Sequence, residues 1–328
     1  MNKKIVMGIG GLMLALAMAL HSSQGDFSKL AGPYLGQKPP GKTPELFAPD
    51  IFKQKYDRYH SIIVFSPDGK EAYWQAGMES KPFQAAIYVS MQINGYWTEP
   101  QIAPFSKSDI SDDCPFLSPD GKRLFFLSQR PMSEGGELSK GENIWVMDRA
   151  ADGWSEPRPL PPAINSLSKH WQISVDRAGD LYFGVWKVDP VSRRTREHDI
   201  YCSRYTNGQY GPPEKLGPEI NAPDSRQYSP YIAPDGSYMV FTRVEKTEPP
   251  VVPVVTLNIS YRNKDGEWTK PIVLNDILQI KEGKWGSQAT VSPDGKFLFF
   301  LKDNGKDICW VDASFIDELR PKPLAERN

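Results

Sequence analysis

Short apolar runs alternate with tight polar turns along nearly the whole chain, and one stretch shows the unit. In "HSIIVFSPDGKEAYW", residues 60–74, an apolar strand, a Pro-Asp-Gly turn and a second apolar strand follow one another. The unit returns as "FSPDGKEAYW" at 65, "LSPDGKRLFF" at 117, "IAPDGSYMVF" at 232 and "VSPDGKFLFF" at 291. A degenerate copy, "ISVDRAGDLYF" at 173, is read with one residue inserted and Val175 in the proline's place. The aspartates fall at 68, 120, 176, 235 and 294, on average about 56 residues apart. Proline fixes φ at the second position of a type I turn, aspartate suits the third and glycine the fourth. These aspartates therefore read as folding hardware rather than as catalytic carboxylates.

Two further marks recur inside each unit. One is a strand: "AIYVSM", "NIWVMD", "DIYCSR", "TLNISY" and "DICWVD". The other is a turn followed by an aromatic-x-x-Pro strand: "NGYWTEP", "DGWSEP", "NGQYGPP" and "DGEWTKP". Asn-Gly and Asp-Gly between strands are strong hairpin signals, because both central positions need positive φ. Four strands per unit, a to d, repeated around an axis, predict an all-β, five-bladed β-propeller, with six blades as the alternative. The fifth unit lacks its outer strand, while "PELFAPDI" (44–51) aligns with "PEKLGPEI" (213–220). The N-terminal strand is thus expected to close the last blade. The domain reading is a leader over 1–25, a Pro/Gly-rich extended tether over 26–43 and a single propeller over 44–328. Deleting 26–43 alone is expected to leave the melting temperature unchanged, and deleting 26–52 to lower it.

The SPDGK repeat resembles the TolB-like, WD-related β-propeller repeat of bacterial exported proteins, over Pro44 to about Leu319. That resemblance implies a propeller fold. The family includes periplasmic interaction modules and propeller domains attached to peptidases, so it does not select an activity.

Composition changes this picture little. Lys3 and Lys4 precede an apolar run from Ile5 to Leu20 and a small-residue stretch to Gly25, the pattern of a secretory signal peptide. The expectation is a periplasmic or extracellular monomer without a stable membrane span after cleavage, an uncleaved inner-membrane anchor being the alternative. Without the two leader lysines the balance is −3 against 40 acids, which points to no nucleic-acid or anionic-membrane partner. Cys114, Cys202 and Cys309 lie in apolar runs and read as buried hydrophobes rather than a disulfide framework.

The blade geometry then sorts the loops. The PDG and NG/DG turns share one face, and the long, individual b–c and d–a connections share the other, where function concentrates on variable loops. Residues just before each strand a ring the channel mouth on that face. They are Arg58 and His60; Asp112 and Asp113; Lys169, His170 and Trp171; Arg226, Gln227 and Tyr228; and Lys284 and Trp285. Together they form a candidate binding site for a protein, peptide or carbohydrate ligand. Alanine at Asp112 and Asp113 is expected to leave stability nearly intact. No metal motif, G-x-S-x-G elbow or cofactor signature is present. Asp112 or Asp113 with Glu197 could form a carboxylate pair for glycoside cleavage. A binding or scaffold role therefore stands first and a glycan hydrolase or lyase second, with no catalytic residue assigned. Trp97, Trp154 and Trp268 are expected to pack between blades.

Overall fold

The computed structural model describes residues 29–52, 59, 61–78, 81–107, 109–167, 172–188, 195–246, 253–281, 284–303 and 305–322. The leader over 1–25 lies outside them. Among the described residues no helix is long and apolar enough to cross a membrane.

The chain forms a five-bladed β-propeller rather than a six-bladed one. Every blade is antiparallel, and strand a is innermost. Blade one runs Val64–Phe65, Glu71–Met78, Lys81–Ile93 and Gln101–Ile102. Blade two runs Asp112–Leu117, Arg123–Ser128, Asn143–Ala150 and Arg158–Pro159. Ile173–Val175, Leu181–Val188, Thr195–Ser203 and Glu214–Lys215 make blade three. Ser225–Ile232, Tyr238–Glu245, Val255–Tyr261 and Ile272–Val273 make blade four. In blade five Ser287–Val291, Phe297–Lys302 and Asp307–Asp312 are completed by Glu45–Leu46 from the N-terminal end, with Glu45 opposite Trp310 and Leu46 opposite Cys309.

The PDG turn is built alike in three blades. The Ser66, Ser118 and Ser292 hydroxyls donate to Asp68, Asp120 and Asp294 at 2.6, 2.6 and 2.7 Å. Each aspartate also accepts the backbone N–H of the lysine two residues on. In Asp68 the serine hydrogen bond leads in holding the carboxyl below its usual range. The aspartates hold turns, as the repeat implied.

The degenerate unit differs from its expected alignment. Asp176, not Val175 or an inserted residue, opens the turn: Gly179 N–H donates to Asp176 O as Gly121 N–H does to Ser118 O. The strand resumes at Asp180, four residues on, where Ser118 needs five to reach Arg123. The loop is one residue shorter, and the Asp176 carboxylate takes the serine's place by accepting the Asp180 N–H at 3.0 Å. Arg177 consequently stands where the other four units carry proline.

The outer strand is also displaced from its expected place. The aromatic after the NG/DG turn lies on a short hairpin, and strand d follows the proline. Ala103, Leu160, Leu216, Leu274 and Phe47 close it with one repeated bond each, donated to Ile87, Ile144, Ile200, Leu257 and Ile308. A backbone N–H of strand c is met by a side chain from the d–a link in the first four blades, Ile87 by Ser106, Ile144 by Asn165, Ile200 by Asn221 and Leu257 by Asn275. Trp97, Trp154 and Trp268 pack against the apolar clusters between blades.

The expected tether is docked rather than free over its described part. Leu35 is fully buried, and Tyr34 packs edge-on against Phe65 of blade one and Phe297 of blade five at 5.3 Å each. Gly32 O accepts from Trp97 Nε1 at 2.8 Å. The three cysteines are buried and unbridged. Burial pushes Cys202 up to about 11, Cys309 up to about 12 and Cys114 well up, so none is a reactive thiolate.

Candidate functional site

Among the ring positions on the loop face, Arg58, His60, Lys169, His170 and Trp171 lie outside the described residues. The others form two groupings rather than one open bowl.

Asp112 is fully buried at the start of strand a in blade two. Arg130, from the b–c connection of the same blade, donates to its two carboxylate oxygens at 2.6 and 3.1 Å, and Ser106 donates at 2.9 Å. Arg130 also donates to Phe105 O and lies over the Phe126 ring at 4.8 Å. Burial drives the Asp112 carboxyl upward, while Arg130 and the serine hydroxyls oppose it. Asp113, also buried, accepts the Cys114 N–H at 2.6 Å. Glu197 is exposed and paired with Lys187 at 3.0 Å. The proposed carboxylate pairing thus has each acid in a separate contact.

Arg226 and Tyr228 share one side of strand a in blade four and face His198 of blade three. The buried imidazole stacks on Tyr228 at 5.0 Å and on Trp186 at 6.1 Å, both within about 16° of parallel. Burial, with Arg226 adding to it, holds its pKa down at about 3. His198 is not singled out by the sequence, where strand c is expected to begin at "DIYCSR" and His198 falls at the end of the preceding loop; in the structure the strand starts earlier, at Thr195, and carries it. Trp285 is half-buried beside the exposed Lys284.

His198 makes acid stability testable. An unfolded histidine takes up its proton near pH 6.5, and the folded one only near 3. Its contribution is therefore whole above pH 6.5 and is lost as pH falls through that window, by about 1.4 kcal/mol per unit. His198→Phe, which keeps a ring in the stack, should lose about 2–3 kcal/mol less than wild type between pH 7 and 4.5 in urea melts. Equal losses would show that His198 protonates freely in the fold.

Toward the axis the strands carry a repeated irregularity. Cys114, Gln172, Ser229 and Gln288, each four residues before the turn-opening residue, have φ of +48°, +41°, +54° and +49°. Register breaks there in blades two, four and five mark bulges, which re-aim side chains. Gln172 Nε2 donates to Ala289 O at 3.0 Å, from blade three to blade five, and so crosses the channel. Around it, Ser61 Oγ, Gln172 Oε1, Gln227 Oε1 and Ser229 Oγ are buried polar atoms with no hydrogen-bond partner among the described residues. They make a partial collar, on or just before the innermost strands of blades one, three and four, of two amide acceptors and two hydroxyls. The sequence pattern points to Gln227 but not to the other three: Ser61 and Gln172 precede their strands, and Ser229 lies at a bulge that no single strand pattern reveals.

Two cavities lie elsewhere. One, of about 120 Å³, occupies the axis between this collar and the PDG face. The other, of about 860 Å³, lies between blades one and two, walled by Tyr73, Met91, Phe105 and Trp154. At one end of it Arg149 grips Glu71 through two bonds of 2.9 and 2.7 Å and covers the Trp154 ring at 3.8 Å. Among the described residues no cluster of His, Cys, Asp and Glu could hold a metal ion.

No protein-family model matches the chain. No curated protein matches it. Solved structures that it resembles include a protein designated TolB from Agrobacterium tumefaciens, at 16% identity over 74% of this chain and 70% of that one, TM-score 0.43. The periplasmic gluconolactonase PpgL of Pseudomonas aeruginosa is similar at 14% identity over 74% and 64%, TM-score 0.38. A puromycin-hydrolysing peptidase of Mycobacterium tuberculosis is similar at 16% identity over 67% of this chain, which spans 30% of that one, TM-score 0.39. Likenesses at this level carry no chemistry across, and the five-bladed architecture rests on this chain's own strand pairing.

Proposed function

We propose that the chain is an exported β-propeller that binds a polar ligand or holds a protein partner at its loop face, without catalysing a reaction. One observation carries the reading. Among the described residues, three groups there that could move protons are committed, with Asp112 on Arg130, Glu197 on Lys187 and His198 held neutral between two rings. The collar of Ser61, Gln172, Gln227 and Ser229, by contrast, keeps buried hydrogen-bonding capacity in reserve. That combination suits recognition of a sugar, a peptide or another hydrogen-bond donor, because an unfilled buried polar atom gains most from a partner that reaches it. General acid–base catalysis needs groups poised near the working pH, and His198, held down at about 3, is far from it. The apolar leader expected over 1–25 supports export to the periplasm or beyond.

The test is a thermal-shift screen of soluble oligosaccharides and short peptides against wild type and Gln227→Leu. The expected result is stabilisation by at least one compound class, about tenfold weaker in the variant, with no product released. Release of reducing ends or peptide fragments would overturn the reading in favour of a glycan hydrolase or lyase.

A further inference from the structure

The unit that departs from the repeat builds a second, separate site on the opposite face. The five residues that follow the turn-opening positions are Pro67, Pro119, Arg177, Pro234 and Pro293, and all five line the mouth of the axial cavity of about 120 Å³. Its wall is mixed: Ile63, Phe65, Phe116, Val175, Tyr231 and Val291, drawn from all five blades and each less than a tenth exposed, supply apolar surface, and Ser118, Thr290 and Ser292 stand among them. The rim is open, since Pro67, Pro293 and Arg177 are exposed. A ring of four prolines thus holds one cation, placed there by the short turn of blade three.

Only the backbone of Arg177 serves the fold. Its backbone N–H, which proline would lack, donates to Pro234 O at 2.7 Å and ties two blades together. Its guanidinium forms no ion pair among the described residues. An apolar cavity of about 150 Å³ takes up a benzene ring. This one is smaller, at about 120 Å³, but is open at its mouth, so its size suits nothing larger than a single ring or a branched aliphatic group, with the Arg177 charge at the rim.

We infer that the turn face binds a small monocarboxylate whose apolar part is ring-sized: the ring enters the cavity and the carboxylate meets the Arg177 guanidinium. The two halves are separable. Burial of the ring supplies affinity without charge, and the charge-assisted contact at the rim selects the anion. Arginine suits this place because its planar fork meets a carboxylate with two parallel bonds.

The experiment is calorimetric titration of the full chain with phenylacetate, 2-phenylethanol and acetate. Phenylacetate should bind one to one, about tenfold tighter than the uncharged alcohol, and acetate should not bind measurably. Arg177→Gln, a change on the surface that keeps the backbone N–H, should reduce phenylacetate to the affinity of the alcohol and leave the alcohol unchanged. The inference fails if neither aromatic compound saturates, if acetate competes equally, or if Arg177→Gln leaves the preference intact. It also fails if a peptide ending in Phe carboxylate binds more than tenfold tighter than phenylacetate, because the site would then belong to chain termini. Loop-face variants such as Gln227→Leu should not affect any of these titrations, which keeps this site independent of the one proposed above.

Discussion

Replacing Phe47 with alanine should cost about 3–5 kcal/mol, and Leu35→Ala about 2–5 kcal/mol, although neither residue lies on a strand. Phe47 is 1% exposed and stacks edge-on against Phe299 and Trp310 of blade five at 5.1 and 5.0 Å, and against Phe65 of blade one at 6.2 Å. It also donates its N–H to Ile308 O at 2.8 Å, the bond that seats the outer strand of blade five. Leu35 and Tyr34 enter the same seam from the other side. The seam is the point at which a ring built from one chain must join its two ends, and without it both neighbouring sheets have an uncovered edge. Deleting residues 26–43 should therefore lower the melting temperature well below wild type, against the expectation that this stretch is a tether. Each lost kcal/mol is worth about 2–4 °C in a chain of this size, so calorimetry separates the two outcomes plainly. A 26–43 deletion that melts like wild type would mean that Tyr34 and Leu35 occupy the seam without holding it.

The architecture was legible because propeller repeats are local. Each turn is set by four adjacent residues, so Ser66-Pro67-Asp68-Gly69 carries its own instructions, and four near-copies announce a period. Closure was legible for the same reason: Glu45 and Leu46 carry the outer-strand signature of Glu214 and Lys215. What stayed hidden depends on partners distant in sequence. Tyr34 and Leu35 read as two apolar residues in a proline-rich stretch until Phe65 and Phe297 are brought against the Tyr34 ring. The turn of blade three was misaligned because Asp176 matches the repeated aspartate by identity but replaces the serine by role.

The loop face was legible in position more than in chemistry. Strand order placed Asp112, Arg226 and Tyr228 at or near the start of an innermost strand, and the strands do begin there. Sequence could not show that Arg130, 18 residues on, returns to neutralise Asp112, or that Tyr228 turns aside to stack on His198. Nor could it show the positive φ at Gln172 or the bulge at Ser229, since such backbone at a non-glycine residue is imposed by the assembled ring.

Asp112→Ala should be among the most damaging single substitutions in blade two, costing about 3–5 kcal/mol, whereas the sequence alone suggested almost none. The alanine leaves the Arg130 guanidinium, itself 6% exposed, facing Phe126 and Trp145 without its counter-charge. Removing one member of a buried pair is costly mainly because the survivor has lost its solvent as well as its partner. The double variant Asp112→Ala/Arg130→Met removes both charges and keeps a long apolar stem, so it should recover most of the loss. Urea melts of wild type, the two single variants and the double variant give the coupling directly, and it should exceed 1 kcal/mol. The pair also ties the b–c connection to the link between blades one and two, through Ser106 and Phe105. In Asp112→Ala, proteolysis should therefore begin in residues 128–142 before the blades are attacked. Additive single-variant losses would mean that Asp112 and Arg130 stabilise the fold independently, and would return Asp112 to the pool of groups free to meet a ligand.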